Sequence, residues 1–145
     1  MKKLISIVAA VVLVLALTVT AFAETQKFHF ALTVGTSGDN TNFRAQKAGG
    51  SDFGDKAYFT VVKSITIGST TYKSTLVNGD LIEFCSRWGD TDATAWSPAA
   101  YKYDVTVKAK YNTNMAVANR TYTLAASIPE DSRNYQFNVV GRWTP

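Results

Sequence analysis

Reactive side chains are scarce in this chain, which carries a single histidine and a single cysteine. A thiol nucleophile needs a base within hydrogen-bond reach, so Cys85 and His29 form the one pair from which a small Cys/His hydrolase could be built. His29 falls out of phase with Phe28 and Phe30, which directs it to solvent or to a sheet edge. Cys85 shares a pleat face with Glu83 and Arg87, and an arginine there would lower a thiol pKa. The surrounding FCSRWGD has no cysteine-hydrolase signature, and a half-buried small hydrophobe is the plainer reading of Cys85. One His and one Cys cannot supply the three or four soft ligands of a zinc site. Asp90-Thr91-Asp92 opens like a calcium loop, but Ala95 stands where the sixth-position glycine belongs and no glutamate closes the loop. The acids lie mainly in loops and single out no glycosidase pair. No catalytic residue, metal or cofactor is therefore expected.

Residues 87–98, RWGDTDATAWSP, hold the strongest binding signal. Two of the three tryptophans, Trp88 and Trp96, stand among turn residues with Asp90 and Asp92. A flat apolar ring beside carboxylates suits a sugar or an aromatic ligand, with a face for stacking and acceptors for hydroxyl groups. Trp88, Asp90, Asp92 and Trp96 are accordingly the candidate ligand-binding residues. The competing reading folds both rings back onto the core, because Trp88 is in phase with Ile82 and Phe84.

These residues need a scaffold, and the alternation of the chain predicts one made of strands. Residues 101–111, YKYDVTVKAKY, alternate apolar and polar without a break, the pattern of a half-buried antiparallel strand expected at the centre of the fold. Residues 27–34, 56–65, 81–88, 121–127 and 135–143 read as further strands, and 43–48 as a short edge strand. A hairpin is expected around Ser69-Thr70-Thr71. Asn78-Gly79 predicts a type I′ turn joining 72–77 to 81–88. Turn-rich stretches at 35–42 and 49–55 separate the elements. About seven or eight strands with no convincing helix indicate an all-β single domain, an antiparallel β-sandwich or a partly open barrel. Lys102, Lys108 and Lys110 are charges of the kind that keep an exposed strand edge from pairing two copies.

Lys2 and Lys3, the apolar run 4–19 and Ala21-Phe22-Ala23 form the pattern of a secretory signal peptide over residues 1–23, cleaved after Ala23. An uncleaved anchor is the alternative, since the run approaches the roughly 18 to 20 residues that span a bilayer. Processing leaves residues 24–145 with 13 basic and 11 acidic side chains. That balance has neither a nucleic-acid stripe nor a polybasic membrane patch, so no nucleic-acid partner and no membrane association after cleavage are expected. A lone cysteine forbids an internal disulfide, and an exported chain without disulfides points to a Gram-positive bacterium.

Several spaced motifs carry a resemblance: Phe28-x-Phe30, Asn42-x-Arg44, Ala57-Tyr58-x-x-Val61, Tyr122-x-Leu124-x-Ala126 and the terminal Gly141-Arg142-Trp143-Thr144-Pro145. Together they resemble a family of short exported Gram-positive proteins of unassigned function. The resemblance implies a secreted β-rich domain and no known active site. The expected function is a secreted, non-enzymatic β-sandwich that binds a glycan or a protein at or outside the cell envelope. A bacteriocin-like or toxin-like effector is the alternative that size, export and mild positive charge allow.

Overall fold

The computed structural model describes residues 24–34, 38–47, 54–99 and 102–145. The expected leader, 1–23, lies outside them. Among the described residues there are ten strands and no helix. In chain order they are β1 (Gln26–Thr33), β2 (Gly38–Gln46), β3 (Lys56–Val62), β4 (Ser64–Ile67), β5 (Thr70–Lys73), β6 (Glu83–Trp88), β7 (Thr91–Asp92), β8 (Thr106–Lys110), β9 (Thr121–Ser127) and β10 (Gln136–Thr144). They form one four-stranded sheet in the order β1-β10-β3-β8, a second in the order β2-β9-β6-β7, and the hairpin β4-β5. Every pairing is antiparallel.

Period-two alternation gives each sheet one apolar face, and a face of that kind is stable only against another layer. Phe28, Phe30 and Leu32 from β1, Phe59 and Val61 from β3, and Val139 and Trp143 from β10 turn inward from the first sheet. Phe43 from β2, Phe84 from β6, and Tyr122 and Leu124 from β9 meet them from the second, and all belong to one buried cluster. Phe84 lies between the layers, stacked on Phe59 at 5.3 Å with an 8° interplanar angle and 5.3 Å from Phe28. Each such ring contributes about 1.5–3 kcal/mol through burial. The Trp143 indole donates from Nε1 to Ser86 Oγ across the core at 3.0 Å, so the one polar atom of the largest buried side chain is satisfied. The result is a sandwich-like arrangement in which neither sheet closes on itself.

Glycine is required at 141. A Cβ there would stand 2.2 Å from the Thr60 carbonyl oxygen and 2.6 Å from Phe28 Cζ. Without one, β10 passes close beneath the Phe28 ring while keeping its pairing with β3.

Side-chain hydroxyls finish what short strands leave undone. Residues 93–97 continue from β7 along the second edge of β6, where Thr94 Oγ1 accepts from Ser86 N at 3.0 Å and Ser97 Oγ accepts from Phe84 N at 2.9 Å. Beyond the end of β3, Ser74 Oγ accepts from Val140 N and Thr75 Oγ1 accepts from Asn138 N, each at 2.9 Å. Buried Asp80 accepts from Val77 N, Asn134 N and Asn134 Nδ2 and thereby joins two loops at one end of the sandwich.

Three sequence expectations need correction. The eleven-residue central strand at 101–111 is instead the five-residue β8 at a sheet margin. Asp104 takes a left-handed φ of 61° and breaks the alternation, and Val105 is exposed. Asn78-Gly79 does form a turn, with Gly79 at φ 95°, but it joins no hairpin. The Asp80 carboxylate holds the Val77 amide, and the chain crosses here from the first sheet to the second. The expected loop at 35–42 overlaps β2, whose pairing with β9 shifts register between Asn40 and Arg44, and such an irregularity tolerates turn-forming residues.

Candidate functional site

β6 ends on Arg87 and Trp88, and the chain reverses through Gly89-Asp90 into β7, pairing Arg87 with Asp92 and Trp88 with Thr91. Gly89 has a φ of 58°, the left-handed backbone that a two-residue hairpin needs at its first central position. This turn divides the four sequence-predicted residues into two pairs with different work.

Asp92 and Trp96 hold the turn. Asp92 Oδ1 lies 2.8 Å from Arg87 Nε, and Oδ2 accepts from Trp96 Nε1 at 3.1 Å. The Asp92 carbonyl accepts from Asn112 Nδ2 at 2.8 Å, and Arg87 Nη2 donates to the Asp90 carbonyl at 3.2 Å. Both carboxylate oxygens of Asp92 are thus engaged within the protein, which commits it first to holding the turn. Trp96 is half-buried with its one polar atom committed to the same contact.

Trp88 and Asp90 remain at the surface. Trp88 is 48% exposed, so its ring does not fold onto the core although it continues the phase of Phe84. The strand has run past the covering layer by that point. The guanidinium of Arg120 sits over the Trp88 ring at 4.0 Å from the centroid, a cation–π contact that fixes the ring. On the other side of the turn, Gly89 and Asp90 border a recess of about 300 Å³ with Arg44, Thr121 and Thr123. Thr123 pairs with both Arg44 and Arg87, which sets a row of polar side chains across the second sheet. Arg120, Thr121 and Thr123 were not singled out from sequence, and Arg44 entered only through the Asn42-x-Arg44 motif, not as a site residue. They come from β2, β9 and the segment before β9, and no local spacing announces that antiparallel pairing will gather them.

The other reactive residues are far apart. Cys85 is fully buried on the outer face of the second sheet, beneath residues 93–97, with Sγ 3.3 Å from the Thr94 and Ser86 carbonyl oxygens. Burial pushes its thiol up to about 11, opposed by the Thr94 hydrogen bond. The expected lowering by Arg87 is the smallest influence, since that guanidinium is paired with Asp92. His29 lies half-buried on the outer face of the first sheet, stacked on Tyr72 with ring centroids 4.0 Å apart. It stands on β1, the strand at one margin of that sheet, in keeping with the sheet-edge expectation, and it is not near the thiol, because the whole core separates the two residues. Among the described residues, no three His, Cys, Asp or Glu side chains come together as metal ligands.

At the end of the sandwich nearest Trp88, Lys47 is buried with Nζ 4.7 Å from the centroid of the Tyr111 ring. Burial lowers its pKa, and the charge of Asp55 partly restores it. Tyr111 is itself pushed well above the usual phenol range, mainly by burial.

Fold and site together define an all-β, sandwich-like domain with an aromatic–arginine contact exposed on a hairpin. Comparison with known proteins returns no match, whether to a family, to a curated protein or to a solved structure.

Proposed function

We propose that the protein is exported and binds a glycan at or outside the cell envelope through the β6–β7 turn, without catalysing a reaction. The observation that carries this reading is the half-exposed Trp88 ring held in place by Arg120. A fixed indole loses little conformational entropy on binding and offers an apolar face to a sugar ring. A recess on the other side of the same turn is lined by Asp90, Arg44, Thr121 and Thr123. Such groups fix orientation in a carbohydrate site. The basic leader and Ala21-Phe22-Ala23 support export.

Co-sedimentation of the purified protein with isolated Gram-positive cell walls tests the binding. The wild type is expected in the pellet and Trp88→Ala in the supernatant, with Trp96→Phe as a control for turn integrity. Wall-independent behaviour of all three proteins would sink the glycan reading. Export is tested by the N-terminus of protein recovered from the medium of the native host, which is expected to begin at Glu24.

A further inference from the structure

A second recess, of about 460 Å³, lies on the opposite side of the molecule from the β6–β7 turn. Its floor is the outer face of the first sheet, with Ala31 from β1 and Asn138 and Val140 from β10, and its wall is the β4–β5 hairpin, with Tyr72 and Lys73. The volume falls within the roughly 300 to 1,000 Å³ of small-molecule sites.

Two independent observations say what would fit there. First, the lining includes Lys73 and His29 and contains no Asp or Glu. Neither Lys73 nor the Asn138 side-chain amide has a hydrogen-bond partner among the described residues. Second, His29 Nδ1 is buried without a hydrogen-bond partner, although the ring is held between Tyr72, stacked at 4.0 Å, and the edge of Phe43 at 5.5 Å. A buried polar atom left unpaired in an otherwise well-packed ring cluster is costly and calls for an explanation, which a partner reaching the ring would supply. Val140, Ala31 and the Tyr72 ring provide the apolar remainder.

We propose that this recess binds a small organic anion, a carboxylate carried on a flat apolar body, with Lys73 as its counter-charge and the His29–Tyr72 stack as its wall. The site is separate from the Trp88 turn, and neither depends on the other.

The chain's one histidine makes the test direct, because its ring protons give a single set of resonances. Benzoate is added to the protein and the His29 ring signals are followed by proton NMR, with benzamide as the neutral probe of similar shape. A saturable shift with benzoate is expected, weakened on the order of tenfold both for benzamide and for the surface variant Lys73→Gln, the loss that one charge-assisted contact represents. His29 signals that stay unmoved by benzoate would overturn the proposal. So would equal shifts from the two probes, or a Lys73→Gln protein that binds benzoate as well as the wild type.

Discussion

The interior between the two sheets and the cluster beneath the β4–β5 hairpin are both apolar, but the first is rich in aromatic rings and the second is aliphatic, and they are held in different ways. The main core joins Phe28, Phe59, Phe84, Tyr122 and Trp143 from both layers, and the Trp143 indole is hydrogen-bonded across it to Ser86. Under the hairpin only Val62, Ile65 and Val140 are fully buried, with Ile67 and Tyr72 partly covered. Removing any strand of the core exposes aromatic surface on two sides. Lifting the hairpin exposes three aliphatic side chains and the His29 ring. One domain thus contains a part whose loss unfolds everything and a part that can open alone, since local opening costs only the contacts it breaks.

The largest loss is expected in the main core, from Gly141→Val. The new side chain meets Thr60 backbone and the Phe28 ring, and a loss of about 3 kcal/mol or more is expected, read as a collapse of the urea midpoint or of soluble yield. Next in size is a pH effect at the outer face of the second sheet. The Cys85 thiol ionises near 9.0 when free of the fold and near 11 within it. The unfolded chain therefore loses its proton first, so the contribution is intact below about pH 9 and declines as pH rises toward 11. The full decline is on the order of 3 kcal/mol. Urea midpoints taken at about pH 8 and about pH 11 should fall more steeply for wild type than for Cys85→Ala, and parallel slopes would refute the assignment.

Ser97→Ala comes third. It leaves the Phe84 amide buried without its acceptor, and about 1–3 kcal/mol of global stability should be lost although no apolar contact changes. The smallest global effect is expected from Ile65→Ala. The hairpin undocks before the core yields, so the measured loss is capped at about 1 to 2 kcal/mol by the weak docking itself. Hydrogen exchange should show faster amides in β4 and β5 and unchanged protection at Phe84. A uniform acceleration throughout the molecule would instead make the hairpin an integral part of the core.

Strands with clean alternation were legible in the sequence because their own residues decide which face is buried. The expected 121–127 coincides with β9, and 27–34 and 135–143 lie within one residue of β1 and β10 at each end. A hairpin near residues 69–71 was also legible, but its turn falls at Gly68-Ser69, with Gly68 at φ 60°, so Thr70 and Thr71 belong to β5 and the expected strand at 72–77 ends at Lys73. The partnerships were not. Alternation in 101–111 says that a strand is possible but not how much of it finds a partner, and Asp104 settled that against the pattern. Nor does composition reveal that Thr94 and Ser97 serve β6 in place of a strand, because serine and threonine in a loop usually face water. The candidate site was half legible: tryptophans and acids in one turn were visible, but only the fold assigns Asp92 and Trp96 to holding the turn and brings Arg120 to Trp88.

The pairing of β1 with β10 has a mechanical consequence. These neighbours run antiparallel, with Gln26 opposite Trp143, and Thr25 Oγ1 lies 2.8 Å from Thr144 Oγ1. Residues 24 and 145 therefore stand side by side at one end of the molecule. Tension applied between them pulls along the direction of the inter-strand hydrogen bonds and meets those bonds one pair at a time. Such a joint peels open like a zip under modest force, whereas strands sheared lengthwise resist with all their bonds at once. A tether at either end alone leaves the domain unstressed, and traction through both ends would undo the first sheet from its margin inward.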